Sequence, residues 1–139
     1  MLDTAVVHWR VEWTAIVREN SITLRSTPAA RGFMRLMAAI NTGSFDEIYN
    51  YIQREFSNEI LSNHDAQDLA NYCMTVYKET KGLAIHKVFL SEEFVIMVVM
   101  KPRNQDGVLF LDKLKVSTSR PFKVTEYAHQ EFNPANYGV

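Results

Sequence analysis

Phe94-Val-Ile-Met-Val-Val-Met-Lys101 decides the fold. In an extended chain, Phe94, Ile96, Val98 and Met100 fall on one side, and Val95, Met97 and Val99 on the other. Both sides need burial, so the segment reads as a central strand covered on both faces. Three more strand candidates surround it: Leu83–Leu90, Val108–Val116 and Phe122–Phe132. The breaks between them are Ser91-Glu92-Glu93, Pro102 to Gly107, and Ser117 to Pro121. All are short, so neighbouring strands should run antiparallel.

Upstream of Gly82 the apolar period is helical. Thr27 can cap a helix whose first position is Pro28, where no backbone donor is lost. Phe33, Leu36, Met37 and Ile40 form its apolar face. Gly43 permits the left-handed turn that ends it. Ser44-Phe45-Asp46-Glu47 reads as a capping box for a second helix running to about Phe56. Residues 57–63 read as a connection with a short strand over Glu59–Leu61. A third helix starts near residues 63–65 and ends at Gly82. Its stripe is Ala66, Leu69, Ala70, Cys73, Val76 and Tyr77. The predicted class is α+β: three helices packed on a curved antiparallel four-strand meander.

The ends are read more coarsely. Leu2, Val6, Trp9, Trp13, Ile16 and Val17 make a helical stripe over residues 2–18, while Val7, Trp9, Val11 and Trp13 also alternate as a strand would; the helix is favoured, and residues 22–25 suit a short extended piece. Trp9 and Trp13 suit a lid or a dimer contact. Residues 1–26 are an N-terminal extension and 133–139 a tail of a single domain spanning 1–139.

Composition narrows the function. The chain has 139 residues, with 15 Lys+Arg against 16 Asp+Glu and a net charge of -1. That balance excludes a generally basic nucleic-acid binder. A hydrophobic fraction of 47% argues for a packed core rather than disorder. The single cysteine, Cys73, cannot form an internal disulfide and suits a buried stripe. No apolar run reaches membrane-spanning length, and the N-terminus lacks a secretory pattern. The expectation is a cytoplasmic protein without membrane association. Five isolated glycines give no phosphate-cradling loop. His8, His64, His86 and His129 show no metal-type spacing. Neither a cofactor nor a metal is expected.

Two polar residues break apolar strand faces. Val108, Phe110, Asp112, Leu114 and Val116 share a face, and Asp112 is the odd member. Buried without a partner, it would have a raised pKa and suit a general base. Set against this is a carboxylate bonded near the rim. Ala84, His86, Val88 and Leu90 share a face of the first strand, with His86 the odd member. First and third strands flank the second at about 10 Å separation, so His86 and Asp112 could address one ligand if their faces match. A histidine bonded within the core or at its edge is the plainer reading of His86. Tyr49, Tyr72, Tyr77 and Phe110 are candidate pocket-lining residues, since a phenol can steer a ligand oxygen. Phe122, Tyr127 and Phe132 suit pocket lining and, equally well, subunit packing.

Thr27-Pro-Ala-Ala-Arg31, Phe33 to Ile40, and Asn41-Thr-Gly-Ser-Phe-Asp46 together resemble the opening of nuclear transport factor 2-like domains. Gly82-Leu-Ala-Ile-His86 and Arg120-Pro-Phe-Lys-Val124 are similar to the accessory domain found beside serine beta-lactamase-like hydrolases. The resemblance covers about residues 27 to 131. It implies a cone of helices on a bent sheet, with a cavity at the wide end. The superfamily includes ketosteroid isomerase, SnoaL-like polyketide cyclases, scytalone dehydratase and many non-catalytic binding or dimerising modules, so fold does not settle function. No Ser-x-x-Lys occurs in these 139 residues, so the nucleophile and base of that hydrolase chemistry are not expected here.

The leading expectation is a small non-catalytic ligand-binding or interaction module with an apolar cavity, forming a homodimer across the sheet face that three helices leave uncovered; otherwise residues 2–25 cover that face. The alternatives are two. One is a cofactor-free isomerase, cyclase or dehydratase acting on a small apolar or cyclic substrate, with Asp112 as base and His86 or a tyrosine as acid. The other is a regulatory partner of a separately encoded serine hydrolase.

Overall fold

The computed structural model describes residues 27–133. The expectations for residues 2–18, 22–25, Trp9 and Trp13, and for the tail after Asn133, lie outside these residues.

Helix α1 spans Pro28–Asn41 and α2 spans Phe45–Glu55. Thr27 accepts the Ala30 N–H at 3.0 Å, so the predicted cap forms. Gly43 has φ +67 between the two helices, and a Cβ there would lie 2.6 Å from the Tyr77 ring. Ser44 accepts the Glu47 N–H at 3.3 Å. The reciprocal half of the expected capping box is replaced, because the Ser44 N–H donates to Thr42 Oγ1 at 3.1 Å.

The strand expected over Glu59–Leu61 is instead a helix, α3, spanning Asn58–Asn63. Its cap is local: Ser57 Oγ accepts the Ile60 N–H at 3.3 Å. Helix α4 spans Ala66–Thr80 with Asp65 as cap. It ends at Lys81, which takes the left-handed conformation (φ 56) one residue before Gly82. The described residues thus hold four helices, not three.

Four strands follow: β1 Leu83–Ser91, β2 Val95–Pro102, β3 Phe110–Val116 and β4 Val124–Glu131. They form one antiparallel sheet in the order β1-β2-β3-β4, the predicted meander. Asn41 ties the helices to the sheet. Its side-chain amide accepts the Leu83 N–H at 2.9 Å and donates to the Leu83 carbonyl at 3.0 Å.

Both faces of β2 are buried, as its sequence requires. Ile96, Val98 and Met100 meet Phe33, Leu36, Ile40, Ile48, Ile52 and Val76 on the helix side. Met97 and Val99 join Phe89, Leu111 and Phe132 on the other side, each no more than 7% exposed. The second subunit expected to cover this outer face is not needed for the burial of these five residues, which are buried within one chain. No helix among the described residues is long and apolar enough to cross a membrane.

Candidate functional site

Asp112 lies where its strand parity puts it, on the helix-facing side of β3, and it is fully enclosed (0% exposed). It is not at a rim. The β2–β3–β4 register aligns Val98, Asp112 and His129 across the sheet. Opposed residues of an antiparallel pair project from the same face. His129 Nδ1 therefore meets Asp112 Oδ1 at 2.7 Å. The Tyr127 hydroxyl, two residues away on β4, donates to Asp112 Oδ2 at 2.6 Å. Both carboxylate oxygens are thus engaged.

Asp112, as a carboxylate, only accepts, so His129 carries its proton on Nδ1. A neutral ring then keeps a lone pair on Nε2. That nitrogen is buried and has no hydrogen-bond partner among the described residues. The Phe110 ring stacks on the imidazole at 4.5 Å and 22°. Burial, followed by the nearby Asp112 charge and its hydrogen bond, pushes the Tyr127 hydroxyl well above its ordinary pKa. It therefore stays protonated as a donor.

Tyr72 of α4 closes the group from outside. Its hydroxyl accepts the His129 N–H at 3.0 Å and donates to the His129 carbonyl at 3.1 Å. Its ring meets Tyr127 edge to face at 6.1 Å. Beyond these rings lies a cleft of about 470 Å³ between α3, α4 and β4, bordered by Glu59, Asn63, Asp68 and Leu69. Tyr72 and Tyr127 form its inner wall. Asp112 and His129 do not line it.

The other candidates fall elsewhere. His86 is exposed at a bulge in β1, where pairing passes from Ile85 to Lys87. A second irregularity follows between Val88 and Leu90. Each extra residue resets the alternation, so the expected shared face of Ala84, His86, Val88 and Leu90 does not exist. His86 and Asp112 are not brought together. Burial, then Lys87 and Lys101, lower the His86 pKa. Tyr49 stacks on Phe45 at 5.7 Å and accepts from Gln53. Tyr77 packs over Gly43. Neither borders the cleft. Phe110 flanks the imidazole instead. Cys73 is buried, and burial pushes its thiol up to about 12.

The sequence reading missed His129 as a partner of Asp112 and left Tyr127 open between pocket lining and subunit packing; Tyr127 lines the cleft. The sequence carries only part of the signal. Folding the third and fourth strand candidates symmetrically about the Ser117–Pro121 break sets Asp112 opposite Glu126, beside Tyr127 but three residues short of His129; the irregularity between Lys115 and Val116 shifts the register. Among the described residues, no group of three or more His, Cys, Asp or Glu side chains could hold a metal ion. No family model, curated protein or solved structure matches the chain.

Proposed function

We propose that the chain is a small non-catalytic ligand-binding or interaction module with the cone-like helix-on-sheet form of nuclear transport factor 2-like domains. The observation that carries this reading is the engagement of Asp112. A general base needs a free oxygen facing substrate. Here both oxygens are held by Tyr127 and His129 inside the core. The open space, by contrast, is the cleft outside Tyr72 and Tyr127. Self-association into a homodimer belongs to the same proposal; sedimentation at micromolar concentration checks it through a mass near twice that of the chain.

The test of the reading is Asp112→Asn followed by thermal unfolding near neutral pH. A structural carboxylate predicts a loss of about 1–3 kcal/mol, because a buried partner is left unsatisfied. Unchanged or increased stability would return Asp112 to the role of base.

A second reading is favoured by one observation, the partnerless Nε2 of His129. In a cofactor-free isomerase, cyclase or dehydratase, Asp112 would orient the imidazole and Nε2 would accept the proton. Such a nitrogen must be reachable. Diethyl pyrocarbonate should then modify His129 at a rate near that of the exposed His64 and His86. Protection of His129 while those two react supports the binding module.

A further inference from the structure

We infer that the cleft between α3, α4 and β4 binds a small organic cation, an amine carried on a ring or short chain. This rests on the binding-module reading and adds the chemical class of its ligand. The volume, about 470 Å³, suits a small molecule.

The wall decides the chemistry. The hydroxyls of Tyr72 and Tyr127 are both used inward, on the His129 backbone and on Asp112. What the two tyrosines leave for an occupant is ring surface; the rings stand edge to face at 72°, and an electron-rich ring face attracts a cation. Asp112, with no solvent contact, lies directly behind that wall. Burial first, with the Asp112 charge among the further causes, raises the pKa of both hydroxyls.

The border has the same sign. Glu59 and Asp68 flank the opening, and the lining includes no Lys or Arg. Glu126 also borders it but is shared with Lys113 at 3.3 Å and Lys115 at 4.0 Å, so it adds less. His64 also lines the cleft, but an anion would be repelled by Glu59 and Asp68 and would find no Lys or Arg there. A neutral apolar ligand would leave both carboxylates idle.

The strand edge supplies a directional acceptor. β4 is an edge strand, and the His129 N–H and carbonyl point outward to Tyr72. Backbone groups two residues apart on a strand point the same way. The Tyr127 carbonyl therefore points toward the cleft, where an ammonium N–H can donate to it. Ser57 takes the Val124 carbonyl at 2.8 Å, and Tyr72 takes His129. Only a short stretch of edge lies between these two caps, which suits a small amine rather than an added peptide strand.

The experiment uses benzylamine and its neutral counterpart benzyl alcohol, with benzoate as the anionic control. Amide chemical shifts of the full chain are followed at pH 7 and low salt. Benzylamine should give saturable shifts at residues 59–72 and 125–127. Benzyl alcohol should bind at least about tenfold more weakly, and benzoate more weakly still. Changing Glu59→Gln and Asp68→Asn together should weaken benzylamine about tenfold and leave benzyl alcohol unchanged. Unperturbed amide shifts elsewhere confirm that this variant is folded. Equal or better binding of benzyl alcohol or benzoate in the cleft overturns the inference while the binding-module reading stands. Benzylamine shifts confined to other surfaces overturn it as well. Absence of saturable shifts in the cleft with all three probes overturns both.

Discussion

Asp112 and His129 stand at directly opposed positions of the β3–β4 ladder, and their side chains meet at 2.7 Å inside the helix-facing layer. Asp112 has no solvent contact, and Tyr127 holds its second oxygen at 2.6 Å. Charge-assisted bonds of this kind cost most when one partner is removed. An asparagine at 112 keeps the volume but offers one acceptor and one donor to two donors. One of Tyr127 and His129 must then rearrange or lose its bond. Asp112→Asn is expected to lower stability by about 1–3 kcal/mol in thermal or urea unfolding at pH 7.

Tyr127→Phe removes one donor and leaves Oδ2 of Asp112 with no partner in the core. A loss of about 1–3 kcal/mol is expected in urea unfolding at pH 7. The loss should be smaller in an Asp112→Asn background, because the charge that needs the hydroxyl is already gone. A double-mutant cycle measures the difference. Additive losses would mean that Tyr127 acts only through ring packing.

The fold was legible wherever the signal was local. Thr27, Ser44 and Gly43 announce the first two helices, and the two-sided apolar run of residues 94–100 announces the central strand. What was not legible depends on pairing. The bulges of β1 have no mark in its sequence, since adjacent His86 and Lys87 put one polar residue on each parity and leave neither face favoured. They are what turns His86 outward. The β3–β4 register joins Asp112 to His129, residues 17 apart, and no local pattern encodes it. Asp112 itself stood out because a carboxylate breaks an apolar face. His129 did not, because its neighbours on β4 are mostly polar. Helix α3 was missed because six residues are too few for a periodicity; only the Ser57 cap marks it.

Gly43→Ala tests one of the local signals. The new methyl meets the Tyr77 ring at 2.6 Å, and the backbone sits at φ +67, which side chains rarely adopt. A loss of at least about 1 kcal/mol is expected in denaturant unfolding. A neutral result would mean that the α1–α2 turn relaxes freely against α4.

Tyrosine hydroxyls set the alkaline limit of stability. Burial comes first among the causes that raise the pKa of Tyr51, Tyr127 and the more exposed Tyr72 above 10.0, their value in the unfolded chain. The folded state therefore keeps protons that the unfolded state releases. Stability from this source is fully present below pH 10 and falls as pH rises through the folded values. Spectroscopic titration should show part of the tyrosine ionising only together with unfolding. Ionisation of every tyrosine near pH 10 with the fold intact would contradict the burial of these hydroxyls.

Cys73 gives a second reading of the same core from a different helix. Its thiol is 1% exposed in the stripe of α4, and burial, then the Asp112 charge, raise its pKa from 9.0 to about 12. The thiolate is the reactive form, so two barriers act together: no access and no ionisation. A disulfide reagent at pH 8 should leave the native chain unmodified and label it at the rate of unfolding. The sign of the pH effect follows from the raised value. The buried thiol contributes stability that is complete below about pH 9 and is lost between there and about pH 12. Cys73→Ala should remove that part of the alkaline loss and leave a small cavity, costing about 1 kcal/mol at pH 7. Asp112→Asn should make labelling faster, because it weakens the layer on which Cys73 packs and so raises the open population. Rapid labelling of the unaltered chain, equal to that of a free thiol, would mean that α4 does not press its apolar stripe onto the sheet. The enclosure of Asp112 by α4 and β4 would then fail with it.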